Sequence, residues 1–290
     1  MYSFRLRRNL AWIIFAAVAF EPACLVRRRT VKPPGEKENR PLLSATKEQL
    51  VQRLHNVSDP IESFNLKVDM APSVGSLYGG KVTDYTSVIG YVLYRKPDQM
   101  RVIALEPAIH GTAFDMVSMG NEFRVSIPLK NLFLEGRNDA PPSASQNKLE
   151  NLRPAAFLTA LLIRPPDPNT DLTVLEDDTN ETEAVYILMM IQRAGDGVKL
   201  VRNVYFDRHT LDVSRQKTFD ADGTITSDTT YLNWKSYGGI KFPGLIDIQR
   251  PKDGYEVILT LMDLKLNTPE ITPEKFTLNP PAGVQPRTLK

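Results

Sequence analysis

The single cysteine, Cys24, and the three histidines, His55, His110 and His209, are the residues of this 290-residue chain most capable of chemistry. A thiol can attack an electrophile, ligate a metal, form a disulfide or carry an attached group, and the first three uses need a partner or an activating neighbour. The sequence has no second cysteine, and no histidine stands at metal-ligand spacing from Cys24. The histidines fall in a predicted helix, at a strand end and in a turn, each a structural setting. No GxSxG elbow, HExxH pair or phosphate-cradling glycine loop occurs. "DADG" at 220–223 matches part of a calcium loop, but it lacks the later glutamate and lies between two predicted strands, which makes it a hairpin turn. The expectation is a protein with no catalytic residues, no metal and no cofactor: a binding protein, not an enzyme.

Cys24 is placed by what precedes it. Residues 1–9 carry Arg5, Arg7 and Arg8, and Leu10 to Phe20 form an uninterrupted apolar run. A basic stretch followed by eleven apolar residues reads as a signal segment, because a helix crossing a bilayer needs about 20. A short buried helix is the competing reading of that run. Ala23 directly before Cys24 resembles the lipobox of bacterial lipoproteins, with Glu21 and Pro22 standing where that family has leucine and a small residue. The resemblance implies cleavage before Cys24 and acylation of its thiol, several acyl chains giving firm membrane attachment. A soluble secreted protein with an idle thiol is the alternative. Leu25 lacks the aspartate that retains lipoproteins at the inner membrane, so the implied address is the cell outer membrane, facing the periplasm. Residues 1–23 are then the signal peptide, and 24–44, with Pro33, Pro34, Gly35 and mixed charges, the lipidated N-terminus and linker.

Removing residues 1–23 takes the chain from 36 basic and 34 acidic residues to 33 of each. A neutral chain lacks the cationic excess that nucleic-acid binding requires.

From residue 45 the pattern is that of one domain, 45–290, without repeats. Thr46 and Gln49 have capping-box spacing, and Leu50, Leu54 and Val57 share a helical face ended by Pro60. Phe64, Leu66, Val68 and Met70 then alternate with polar residues as a half-buried strand. About eleven such runs follow one another, several joined by the hairpin chemistry of "AGDGV", "DADGT" and "KDGY". In "YEVILTLMDLKL" both faces are partly apolar, so one can face a barrel interior while the other is covered. The interval 138–168 contains one further helix, "RPAAFLTALLIRPP", entered by Pro154 and stopped by Pro165 and Pro166. Apart from Thr159 it is apolar all round, so it is either a core helix or a lid whose Phe157, Leu158, Leu161 and Leu162 face a greasy cavity.

The C-terminal segment "LMDLKLNTPEITPEKFTLNPPAGVQP" resembles the end of LolA/LolB-type lipoprotein carriers, at Asn267, Glu274, Phe276, Pro281, Gly283 and Val284. The first helix followed by "IESFNLKVDM", and the antiparallel order with a central apolar helix, suit the same family. The resemblance implies a mainly β (α+β) fold, an unclosed antiparallel β-barrel with helices forming a lid. It also implies a monomer that binds acyl chains or lipoproteins in its interior. The chain departs from the family in longer loops at 71–87 and 137–150, and the family's lid arginine has no assigned counterpart, with Arg153 and Arg164 flanking the helix. An envelope scaffold lipoprotein, using the same fold for protein–protein interaction with its interior filled by its own side chains, is the other functional reading.

Overall fold

Local chemistry starts the first helix where the sequence places it. In the computed structural model, α1 spans Lys47–Ser58 and opens on a full capping box: the Gln49 amide donates to Thr46 Oγ1 at 3.3 Å, and the Thr46 amide to Gln49 Oε1 at 2.9 Å. Leu50 and Leu54 are buried; Val57 is half-buried, and Ser58 takes the covered position in the last turn. The structure describes residues 41–76, 81–106, 111–139, 154–180 and 182–289. The signal-like segment, Cys24, His110, Arg153, and most of the 137–150 loop lie outside the described residues.

Fifteen strands form one sheet and two more a separate ribbon among the described residues, where the runs in the sequence suggest about eleven. The sheet opens with β1 (Ser63–Ser76), whose Phe64, Leu66, Val68 and Met70 all point into the core. On one side of it run β3 (Val88–Arg95), β4 (Gln99–Leu105), β5 (Thr112–Met119), β6 (Glu122–Ile127) and β7 (Leu132–Arg137). On the other side lie β16 (Tyr255–Leu266), β15 (Leu245–Arg250), β12 (Ile225–Leu232), β11 (Val213–Phe219), β10 (Gly197–Asp207), β9 (Ala184–Ala194) and β8 (Leu172–Thr179). The short β2 (Lys81–Asp84) pairs with the end of β1, and β17 (Arg287–Thr288) lies parallel to β7. The ribbon is β13 (Lys235–Tyr237) with β14 (Ile240–Phe242). The sheet path ends at β8 and β17 without joining them, so the antiparallel barrel is unclosed.

The additional strands have specific causes. "IKFPGLIDIQ" splits at Pro243 and Gly244 into β14 and β15. β8 carries Glu176, Asp177 and Asp178 and is half exposed, the character of an edge strand that charge protects from further pairing. β7 ends in Glu135 and Arg137, and Glu135 pairs with Arg124 on β6. The three hairpin turns form as expected, with Gly195, Gly223 and Gly254 at positive φ. In the "DADG" turn Asp220 Oδ1 accepts from the amides of Asp222 and Thr224, the arrangement of a hairpin loop.

The C-terminal residues close the fold on its outer side. Asn267 sits at φ 53, its Oδ1 accepting from the amides of Glu62 and Ser63 at 2.8 and 3.1 Å and its Nδ2 donating to Pro60 O at 2.7 Å. It clasps the end of β16 to the start of β1. Phe276, 1% exposed, packs with Leu93, Val117, Phe133, Ile271 and Leu278 in a second apolar cluster on the sheet face opposite the main core. The partner covering an outer face is therefore this C-terminal segment, and it lies over β3 to β7, while Met262 of β16 stays exposed. Arg101 and Arg124 donate to the carbonyls of Lys275 and Leu278, fixing the segment in place.

Replacing Asn267 tests the clasp. Asn267→Ala loses three side-chain hydrogen bonds and leaves in the left-handed region a β-carbon without the polar side chain that makes asparagine tolerant of it, costing about 2–4 kcal/mol; Asn267→Gly loses the bonds but relieves that backbone strain and costs about 1–3. Urea denaturation of the two variants reads both values from the shift in midpoint.

Candidate functional site

The second helix, α2, spans Pro154–Leu161. Proline at the first position suits a helix start, where the missing N–H would have no partner, and Pro165 and Pro166 bar continuation. One more helical bond forms, from the Leu162 amide to Leu158 O at 2.9 Å, before the chain straightens. Phe157, Leu158, Leu161 and Leu162 are 6, 9, 3 and 4% exposed, and all four belong to the main core. Ala160 and Ile163 are buried with them and Thr159 is exposed. The helix packs against β5 on one side and β15 on the other. It therefore occupies the space between the two halves of the sheet, with its buried side chains part of the main core.

A helix inside a sheet raises a polar problem, since its last carbonyls have no intrahelical donors. The sheet's inner face supplies them. Tyr231 Oη donates to Ala160 O at 2.7 Å and Gln216 Nε2 to Thr159 O at 3.0 Å. Beyond the helix, Arg202 Nη2 donates to Pro165 O at 3.3 Å and Arg164 Nη2 to Pro97 O at 2.9 Å. The cross-strand register shows why these donors converge. Leu188, Val204, Gln216, Thr229, Ile248 and Val257 form one rung across β9, β10, β11, β12, β15 and β16. Met190, Arg202, Thr218 and Ser227 form the next. A polar stripe thus crosses an otherwise apolar wall beneath the helix.

Burial pushes the Tyr231 phenol far above its usual range, so it remains a donor at any physiological pH. Burial also lowers Arg202 to about 10, partly countered by the Asp171 carboxylate, and the guanidinium stays charged at neutral pH. Its Nε lies 2.8 Å from Met190 Sδ. Gln216 Oε1 is buried without a hydrogen-bond partner.

Three clefts adjoin this assembly. One of about 220 Å³ runs along the Thr159 side of α2, walled by Leu158, Leu162, Arg164, Arg202, Asp98 and Ser118. A second, of about 390 Å³, lies between the end of α1 and the proline-rich segment 165–168, sharing Leu162 and Arg164 as walls. The third, about 410 Å³, lies between α1 and β11, beside Trp234, Leu211 and Phe206. There the Trp234 indole donates to Val213 O, and Lys241 pairs with Asp212.

His55 lies on α1 against Asp59, and His209 in the β10–β11 turn, both in the structural settings read from sequence. Among the described residues no group of metal-ligating side chains converges. No described helix is long and apolar enough to cross a membrane. Of the arginines flanking the helix, Arg164 reaches the cleft walls, and the guanidinium bonded behind the helix is Arg202. Sequence reading missed Arg202, Gln216 and Tyr231. The signal was present for Arg202: it stands two and four residues before Val204 and Phe206, so period two puts a charge on the core face of β10.

No family model and no curated protein matches the sequence. Solved structures do. A LolA superfamily protein from Nitrosomonas europaea is similar over 81% of this chain and 99% of its own, with 15% identity and a TM-score of 0.51. A DUF1329 family protein from Desulfovibrio piger is similar over 79% of this chain and 96% of its own, with 16% identity and a TM-score of 0.51. The fold is LolA-like, as the C-terminal segment suggests.

The carbonyl donors make a testable pair. Tyr231→Phe leaves the buried Ala160 carbonyl unpaired and lowers stability by about 1–3 kcal/mol, whereas Gln216→Met also removes an unpaired acceptor and stays within about 1 kcal/mol of the parent. Chemical denaturation gives both values, and hydrogen exchange of residues 157–163 rises more in the tyrosine variant.

Proposed function

We propose that this chain is a lipid-anchored envelope carrier whose sheet admits acyl chains, free or borne by lipoproteins, into the space that α2 occupies. The observation that carries this reading is an apolar helix seated inside an unclosed sheet and tied to its surroundings by a few side-chain to main-chain hydrogen bonds. Exchanging such a helix for an acyl chain replaces one apolar surface with another. At about 25 cal/mol per Å² of buried apolar area, the two states differ little, and the balance rests on those hydrogen bonds. Small differences favour loading and unloading over permanent capture. Release then needs only an acceptor with a tighter or more apolar cavity, and no covalent step is involved.

The helix moves between filling the interior and covering a ligand, with Phe157, Leu158, Leu161 and Leu162 as its greasy contacts. The N-terminus supplies the address: acylation at Cys24 holds a monomer at the outer membrane, facing the periplasm, and residues 24–44 form the tether. Leader cleavage and this anchor are supported by the basic and apolar run before Ala23 and Cys24. The burial of those four helix side chains in the main core favours the other reading, a scaffold lipoprotein that never opens.

Two measurements separate these readings. Protein lacking residues 1–24 binds a fluorescent fatty-acyl probe if it is a carrier, and Leu158→Asp weakens that binding; a protein blind to every acyl probe is a scaffold. Cys24→Ser moves the protein from the membrane to the soluble fraction, and unchanged fractionation shows that the uncleaved apolar segment is the anchor.

A further inference from the structure

The two clefts beside α2 share a feature that acyl-chain binding does not explain. Both are walled by Arg164, and the smaller also by Arg202. Six of the ten other described arginines, Arg101, Arg124, Arg137, Arg208, Arg215 and Arg250, are each paired with a carboxylate. Among the described residues no salt bridge reaches Arg164 or Arg202; both donate to main-chain carbonyls instead. The other charged groups around the clefts are largely matched. Lys96 pairs with Glu62 at 2.7 Å and His55 with Asp59 at 2.8 Å. Asp98 is the one carboxylate on the wall of the smaller cleft, and it lies against the Gly120 turn. Asp167, on the wall of the larger, accepts from the amide and side chain of Asn169, and Asp171, whose charge supports Arg202 without a salt bridge to it, accepts from Gln192. Leu158 and Leu162 form the apolar wall on the helix side, and Pro165, Pro166 and Pro168 continue it in the larger cleft.

We propose that this place, where both guanidiniums meet the end of α2, is a head-group site for an anionic amphiphile, a carboxylate or phosphate whose alkyl chain runs along Leu158 and Leu162. The inference rests on the carrier reading and narrows it, from any acyl chain to one with a negative head. The chemistry favours an anion for three reasons. A guanidinium is weakly hydrated and presents a planar fork of donors that fits carboxylate and phosphate oxygens two at a time. The two arginines repel each other electrostatically, and an anion between them removes that repulsion. Burial already disfavours the Arg202 charge, so a counter-ion there has a desolvated partner and a stronger interaction than it would have at the surface. The larger cleft lies in the size range of small-molecule sites, roughly 300–1,000 Å³.

The test is competition against a neutral fluorescent acyl probe on the full-length protein carrying Cys24→Ser. Four competitors of equal chain length are used: dodecanoate, dodecyl phosphate, dodecanol and dodecyltrimethylammonium. The two anions bind roughly tenfold or more tightly than dodecanol, the ammonium binds more weakly, and added salt narrows the gap. Whichever anion is tighter identifies the head group as carboxylate or phosphate. Arg164→Gln, at an exposed position, weakens both anions several-fold more than dodecanol, the remaining preference resting on Arg202, while Arg164→Lys keeps more of it. Equal binding of anions and dodecanol overturns the head-group site and leaves the carrier reading standing. Equal weakening of every competitor by Arg164→Gln overturns it too. Failure of the probe and all four competitors to bind overturns both.

Discussion

A sheet that does not close cannot bury its inner face against itself. In this chain β8 and β17 end the path apart, and the inner positions of the strands between them are among the most deeply covered in the molecule. Something must fill the trough, and α2 does. Its sequence follows from that duty: a helix meeting core on nearly every side has to be apolar nearly all round, and it has to be short enough to fit between the sheet halves. α1 faces a smaller demand, with Leu50 and Leu54 inward and charges outward, so it has an ordinary amphipathic pattern.

The same constraint accounts for the polar residues in the interior. Packing a helix end against a sheet buries carbonyls that would otherwise be hydrated, and each needs a donor. Gln216, Tyr231 and Arg202 are those donors, and their price is visible in the unpaired Gln216 Oε1 and the depressed basicity of Arg202. A purely apolar wall would hold the helix by area alone and would not fix its depth or rotation. Directional bonds to Thr159, Ala160 and Pro165 set both. They also concentrate the helix's specific attachment at its C-terminal end, next to the clefts.

What was legible in the sequence follows the same division. β1, the hairpins and both helices were legible because each is a local pattern: a capping box at Thr46, alternation from Phe64 to Met70, glycine in the turns, and an apolar run bounded by Pro154 and Pro165. The C-terminal residues Asn267 and Phe276 were legible as a resemblance, and the structure gives them work, one clasping β1 and the other plugging the outer cluster. The short strands were not legible. β8 is acidic and half exposed because it is an edge, and β17 is two residues whose strand character exists only beside β7. Gln216 and Tyr231 were invisible for another reason. Their role depends on a helix more than fifty residues earlier in the chain, and no window along the sequence contains both partners.

The two halves of the sheet are not equally supported. The strands β3 to β7 are covered on both faces, by the main core inside and by the Phe276 cluster outside, and Arg101 and Arg124 tie the C-terminal segment to them. The strands β8 to β10 have the main core on one face only; Leu172 and Val174 on β8 and Val198 at the β9–β10 hairpin are exposed by 50, 48 and 65%. Local stability follows buried apolar contact, so the second half is the cheaper one to displace. Arg202 belongs to that half, whereas Pro97, which accepts from Arg164, belongs to the first. Widening the gap by moving β8 to β10 outward therefore strains the Arg202 bond to Pro165 and leaves the Arg164 bond to Pro97 in place. In such a displacement the segment 164–168 stays tied to the β3–β7 half through Pro97 while β8 to β10 draw away from it, and the smaller cleft between Arg202 and α2 is the space that grows.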